Sequence, residues 1–197
     1  MVKKRTTSEQ CPGCGRMTAT SRTLPTYHYR ESGLSNLWLR DGVIRTDCRR
    51  CGETFLAVLR EFQLLQVIAL ELFMEPRHLK GEEMRFLRGA CQISQAKLAN
   101  ALRKRRETVA ERVSKQDPGI NFAEEVALRV VLLGFFNAYQ HGKGNSLLDA
   151  GHRKRLSEFT DWFVEFSTRF ADHGVQRQKL VAALDKKGVS WHLDEAA

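Results

Sequence analysis

Cysteine spacing constrains this chain more than any other feature. Two knuckles, Cys11-Pro12-Gly13-Cys14-Gly15 and Cys48-Arg49-Arg50-Cys51-Gly52, carry two pairs of thiols on tight turns. Each turn ends in glycine, which takes the positive φ that lets both sulfurs of a knuckle face one ion. Two disulfides are the alternative. With no recognisable signal peptide and an odd fifth cysteine, Cys91, the chain reads as cytoplasmic, where thiols stay reduced and bind metal. Four thiolates leave no open coordination position, so the expectation is one structural zinc ion per chain on Cys11, Cys14, Cys48 and Cys51. Its binding energy would be folding energy for a segment too short to bury a large core. His28, between the knuckles, is then an ordinary strand residue.

A chain of 197 residues, 42% hydrophobic and 28% charged, suits one ordinary domain or two small ones. The longest apolar stretches, 64–74 and 126–136, are interrupted by Gln66 and Glu71 or by Arg129, so no membrane span is expected. The formal charge of +9 asks for an acidic partner. It is unevenly spread: net +6 over residues 1–60, +3 over 61–120 and zero beyond.

Period and punctuation organise the rest. Tyr27, Tyr29, Leu37, Trp38, Leu39, Val43 and Ile44 are strand formers, Ser32-Gly33 marks a turn, and Asp41-Gly42 is a hairpin signal between 37–40 and 43–47. One further strand fits 53–59. Residues 1–60 therefore read as a zinc-ribbon domain. Phe62, Leu65, Ile68, Ala69 and Leu72 then recur at helical spacing, and Pro76 ends a linker helix assigned to 61–78.

Three short helices are expected next: 82–92 with Met84, Leu87 and Cys91 on one stripe, a second capped by Ser94 and carrying Leu98, Ala101 and Leu102, and a third at 107–115 with Val109 and Val113 inward. Asp117-Pro118-Gly119 forces a turn, and Asn121 with Glu124 starts an apolar helix at 122–140. Three helices joined by short turns are what a helix-turn-helix DNA-binding domain requires, here over 79–141. Charge falls in the same place. Arg103, Lys104, Arg105 and Arg106 lie at the turn into the third helix, and residues 97–115 hold seven basic and two acidic side chains, where phosphate contacts would orient that helix.

These residues carry a resemblance. The CPxCG knuckle, Tyr27-His28-Tyr29-Arg30-Glu31-Ser32-Gly33, Leu37-Trp38-Leu39, Gly42-Val43 and the CxxCGE ending at Glu53 resemble the YgiT-type zinc finger of MqsA-family antitoxins. Downstream, Leu79-Lys80-Gly81-Glu82-Glu83-Met84 and Ile93-Ser94-Gln95-Ala96-Lys97-Leu98-Ala99 resemble the first two helices of that family's helix-turn-helix, so the likeness covers roughly residues 11–140. It implies a homodimer that binds double-stranded DNA and represses its own operon, with the zinc module able to dock a toxin protein. On the same basis Gln95 would touch the DNA backbone. The family's third helix reads like STVSRWENG; here Thr108-Val109 match, Ala110-Glu111-Arg112-Val113 depart, and the base-reading positions fall near Glu107 and Glu111. Glutamate accepts from cytosine N4 but is repelled by phosphate, leaving Arg105, Arg106 and Arg112 as alternative readers. The candidate DNA-contacting set is thus Gln95, Lys97, Arg103, Lys104, Arg105, Arg106, Glu107, Thr108, Glu111 and Arg112.

Residues 142–197 lie beyond the resemblance and read as a helical C-terminal extension. Phe159, Trp162, Phe163, Phe166 and Phe170 form one face of a helix at 154–172, Gly174 breaks it, and 176–187 reads as a last amphipathic helix. Such a stripe packs on 122–140 or at a dimer interface, or else docks a partner protein. Catalysis is not expected: no phosphate loop, HExxH or GxSxG occurs, the six histidines are scattered, and Cys91 sits on an apolar stripe. The expectation is therefore an α+β regulator, a zinc ribbon followed by an all-α DNA-binding domain. The alternative is a protein-interaction factor that neutralises a toxin and binds DNA weakly.

Overall fold

The structure, a computed structural model, describes residues 8–115, 119–142, 150–151, 154, 180–185 and 190–193. It is α+β: an N-terminal sheet, five helices between residues 61 and 142, and two short strands near the C-terminus that return to the sheet. Strand β1 (Ala19–His28) runs antiparallel to the long β2 (Leu37–Cys48), joined through a 3₁₀ turn at Arg30–Ser32 that ends on Gly33 at φ 82°. Strand β3 (Thr54–Val58) pairs antiparallel with the second half of β2. The first half of β2 pairs in parallel with β4 (Leu180–Leu184), and β5 (Trp191–Leu193) folds back antiparallel on β4.

Two sequence expectations are corrected here. Asp41-Gly42 is no hairpin, because β2 continues through it. Leu24 faces Val43 and Thr26 faces Arg40, so Asp41 and Gly42 together oppose Pro25 in a β-bulge, with Asp41 at φ 58°. Proline has no N–H to give the ladder, which makes that point of β1 the natural place for the irregularity. Residues 176–187 are not a helix where described. Leu180–Leu184 is a strand buried along its whole length, beside β2 on one side and β5 on the other. A run of five apolar residues has no period that tells a buried strand from a buried helix. The helical extension assigned to 142–197 therefore contains β structure, while the aromatic stripe of Phe159 to Phe170 lies outside the described residues, as do Asp117 and Pro118.

Trp191 explains why the bulge holds glycine. Its ring is fully buried and its Nε1–H donates to the Leu59 carbonyl at 2.8 Å. A Cβ on Gly42 would stand 1.9 Å from Cη2 of that indole. Gly42→Ala should therefore lower stability by about 1–3 kcal/mol, read as a drop in denaturation midpoint at unchanged m-value; an unchanged midpoint would mean that Trp191 packs elsewhere.

Helix α1 (Glu61–Met74) was expected to link two modules, but it lies inside the core. Leu64, Ile68, Ala69, Leu72 and Phe73 are fully buried, in one cluster that reaches from Tyr29 just after β1 and Leu37 in β2 to Phe136 and Trp191. Helices α2 (Gly81–Ala90), α3 (Gln95–Ala101) and α4 (Arg106–Ser114) follow, with α5 (Phe122–Gly142) packed beneath them. No helix among the described residues is long and apolar enough to cross a membrane.

The turns between α2, α3 and α4 share one chemistry. After α2, the N–H of Gln92 bonds the Gly89 carbonyl and that of Ile93 the Arg88 carbonyl; after α3, Arg103 bonds Asn100 and Lys104 bonds Ala99. These are paired Schellman closures with Gln92 (φ 55°) and Arg103 (φ 52°) at the left-handed position that glycine usually fills. Ser94 then caps α3, accepting from the Lys97 N–H at 3.1 Å, and Asn121 caps α5, accepting from the Glu124 N–H at 3.0 Å. Below them lies a buried ionic network. Arg77 grips Glu83 with both terminal nitrogens, and Arg129 on α5 donates to Glu125 and to the Leu72 and Phe73 carbonyls at the end of α1.

Candidate metal centre and basic helical face

The two knuckles meet at the far end of the sheet, one leading into β1 and the other joining β2 to β3. The glycines do what their positions require: Gly15 at φ 71° and Gly52 at φ 73° donate their N–H groups to the Cys11 and Cys48 carbonyls. The sulfurs of Cys11, Cys14, Cys48 and Cys51 all lie within 4.8 Å of one another. Cys11 and Cys51 are 3.7 Å apart, and Cys14 and Cys48 3.8 Å. Four sulfurs at about 2.3 Å from a common centre, placed tetrahedrally, are separated by about 3.8 Å. The spacing fits a four-thiolate metal site and is far longer than a disulfide bond of about 2.05 Å. All five described cysteines are free.

Several groups prepare the thiols. The Thr18 hydroxyl lies 3.2 Å from the Cys48 sulfur, and the Arg50 N–H points to it at 3.4 Å. The threonine contact, with the backbone N–H groups of the knuckle, holds the Cys48 thiol low, while desolvation and the neighbouring sulfurs hold that of Cys51 high. Cys11 and Cys48 are buried, and Phe55 packs under them with Ala19 in a small cluster separate from the main core. Gly13 is needed for that packing: a Cβ there would meet the Glu53 carboxylate at 2.6 Å and the Phe55 ring at 2.9 Å. His28 is far from this chemistry in register; it stacks on Trp38 and its Nε2 donates to the Ser35 carbonyl. Cys91 is buried against the Leu132 carbonyl, and burial pushes its thiol up to about 12.

The ten candidate DNA-contacting residues fall into four groups. Arg103, Arg105 and Arg106 are exposed around the start of α4 and have no acidic partner among the described residues. Among the described residues no side chain caps this helix, which leaves its first N–H groups beside three guanidinium groups. Gln95, on the first turn of α3, and Thr108 are half-buried. Glu107 and Glu111 are exposed on α4, and Lys115 pairs with Glu111 at 2.6 Å, holding that carboxyl below its usual range.

The remaining three cations turn toward α5. Lys97 places its ammonium 4.9 Å over the Phe135 ring. Lys104 and Arg112 both bind Glu124, at 3.0 Å each. Lys104 first, and then Arg112, holds the Glu124 carboxyl below the usual range. Nothing local in the sequence announces this arrangement, since Glu124 reads there only as the capping partner of Asn121. Thr18 was equally hidden, because its neighbour Cys48 is distant in the chain. Compared with protein families, curated proteins and solved structures, this chain has no match.

Proposed function

We propose that the protein is a zinc-stabilised DNA-binding transcriptional regulator, a homodimer that represses its own operon and contacts double-stranded DNA through the start of α4. The observation that carries this reading is the uncapped N-terminus of α4 ringed by Arg103, Arg105 and Arg106, three exposed cations with no acidic partner among the described residues. Free helix N–H groups and guanidinium groups together form an anion site, and a nine-residue helix with buried Val109 and Val113 can present it to a groove. The short, tightly closed turns between α2, α3 and α4 support a helix-turn-helix in which α4 is the reading helix, as the resemblance to MqsA-family antitoxins implies. Gln95 would contact the backbone. A dimer would bring two such helices to half-sites about 34 Å apart. The sulfur spacing supports zinc in a purely structural role, held in a ribbon by Cys11, Cys14, Cys48 and Cys51.

Binding of the zinc-loaded protein to a fragment of its own upstream region, against a scrambled duplex of equal length at two salt concentrations, tests this. A preference of about a thousandfold or more is expected of a regulator that reads bases. Arg105→Ala with Arg106→Ala should weaken binding and flatten the salt dependence by about one unit per lost phosphate contact; an unchanged slope would move the contact elsewhere. The exposed carboxylates of Glu107 and Glu111 favour a second reading, in which the helices and the cysteine-bearing sheet bind a protein such as a toxin. Weak and equal binding to both duplexes would favour it.

A further inference from the structure

Resting on the DNA-binding reading above, we propose that Glu124 is an internal competitor for DNA phosphate: it withholds Lys104 and Arg112 from the basic face and thereby limits binding to duplex of unrelated sequence. The carboxylate receives one bond from the Lys104 ammonium at 3.0 Å and two from Nη2 of Arg112 at 3.0 and 3.1 Å. This is the set of charge-assisted bonds that the free oxygens of a backbone phosphate would accept from the same two cations. The exchange needs no unfolding, because the side chains of Glu124, Lys104 and Arg112 are 25%, 44% and 24% exposed. The backbone on both sides is pinned. Glu124 is held by the Asn121 cap, and the Lys104 N–H by the Ala99 carbonyl in the turn that also carries Arg103 and Arg105. Release of the two side chains would raise the unpaired cations on α4 and the turn before it from three to five, Lys104 adding to the start of the helix and Arg112 to its last turn.

The consequence is weaker binding to every duplex at an unchanged ratio between sites. Phosphate contacts carry no sequence information, so two withheld cations cost affinity equally on every duplex and leave base contacts a larger share of the total. A purely structural clasp between α4 and α5 would behave otherwise, since its loss would loosen α4 and weaken binding everywhere.

The test compares the full-length zinc-loaded protein with Glu124→Gln and Glu124→Asp on the upstream fragment and on an unrelated duplex, across a salt series, with melting curves for all three. Gln keeps the shape and removes the charge. Its salt slope should steepen by up to about 1.8, from two phosphates at about 0.9 each, and its affinity for unrelated duplex should rise roughly tenfold at low salt. The Asp variant, which keeps the charge, should retain the wild-type slope. An unchanged or shallower slope for the Gln variant, a Gln variant that melts below the assay temperature, or an Asp variant that behaves like Gln would overturn the proposal. Failure of the DNA-binding reading itself is read separately: the wild-type protein alone would then show no salt-dependent binding to either duplex.

Discussion

Cys48→Ser should remove stoichiometric metal and unfold the cysteine-bearing end of the sheet, while the helices keep their structure. Structural zinc sites of this kind contribute on the order of 10–16 kcal/mol, more than a small sheet end can replace by packing. The structure says how far the damage should spread. Cys11, Ala19 and Cys48 form their own small cluster with Phe55, apart from the core that contains α1 to α5. Near β2's other end, Leu37, Leu39 and Val43 belong to the main core, with Leu24 and Val58 packed against it and β4 bracing the first two, so unfolding should stop before Val43. Metal analysis and amide hydrogen exchange would report this: lost protection over 8–22 and 45–56, retained protection over 61–115 and 119–142. Full metal content with unchanged exchange would refute a cysteine-bound ion.

Arg129→Ala should cost about 3–5 kcal/mol, the usual penalty for breaking a buried pair and leaving its partner charged. Arg129 is 1% exposed and Glu125 fully buried, 2.8 Å apart. The same guanidinium takes up the Leu72 and Phe73 carbonyls, which α1 cannot satisfy at its own C-terminus, and Glu125 also accepts the Leu79 N–H at 3.2 Å. Removing it strands several groups at once. For a chain of this size the melting temperature should fall by roughly 10 °C or more. Arg129→Met combined with Glu125→Gln removes both charges and should recover part of the loss; if the single and double variants melt together, Arg129 acts through packing alone. The network joins α1, the 75–80 connection and α5, so it holds the platform on which α4 sits.

Much of this was legible along the chain because it is local. The knuckles declare themselves by spacing and glycine, Ser32-Gly33 turns where expected, Ser94 and Asn121 cap their helices, and β3 and the three short helices appear close to their expected places. The misreadings are also physical. An Asp-Gly pair allows positive φ but does not say whether a turn or a bulge will use it; Pro25 across the ladder and Trp191 against Gly42 made it a bulge. The apolar run at 180–184 has no period, and only β2 waiting beside it makes it a strand.

Among the candidate site residues the same division holds. Four cysteines at knuckle spacing pointed to a candidate metal site without any coordinates, since each half is a local turn, and the structure brings the four sulfurs together. The cluster of cations around residue 104 was equally plain. Tertiary structure alone decided which of them have a partner: Lys97 lies on Phe135, and Lys104 and Arg112 lie on Glu124. A charge in the sequence has a sign, but its partner is set by which helix packs beneath it. Closure of the N-terminal sheet by β4 and β5, and the place of α1 within the core rather than between modules, were settled in the same way. Burial of that kind comes from contacts far apart in the chain, which no local pattern encodes.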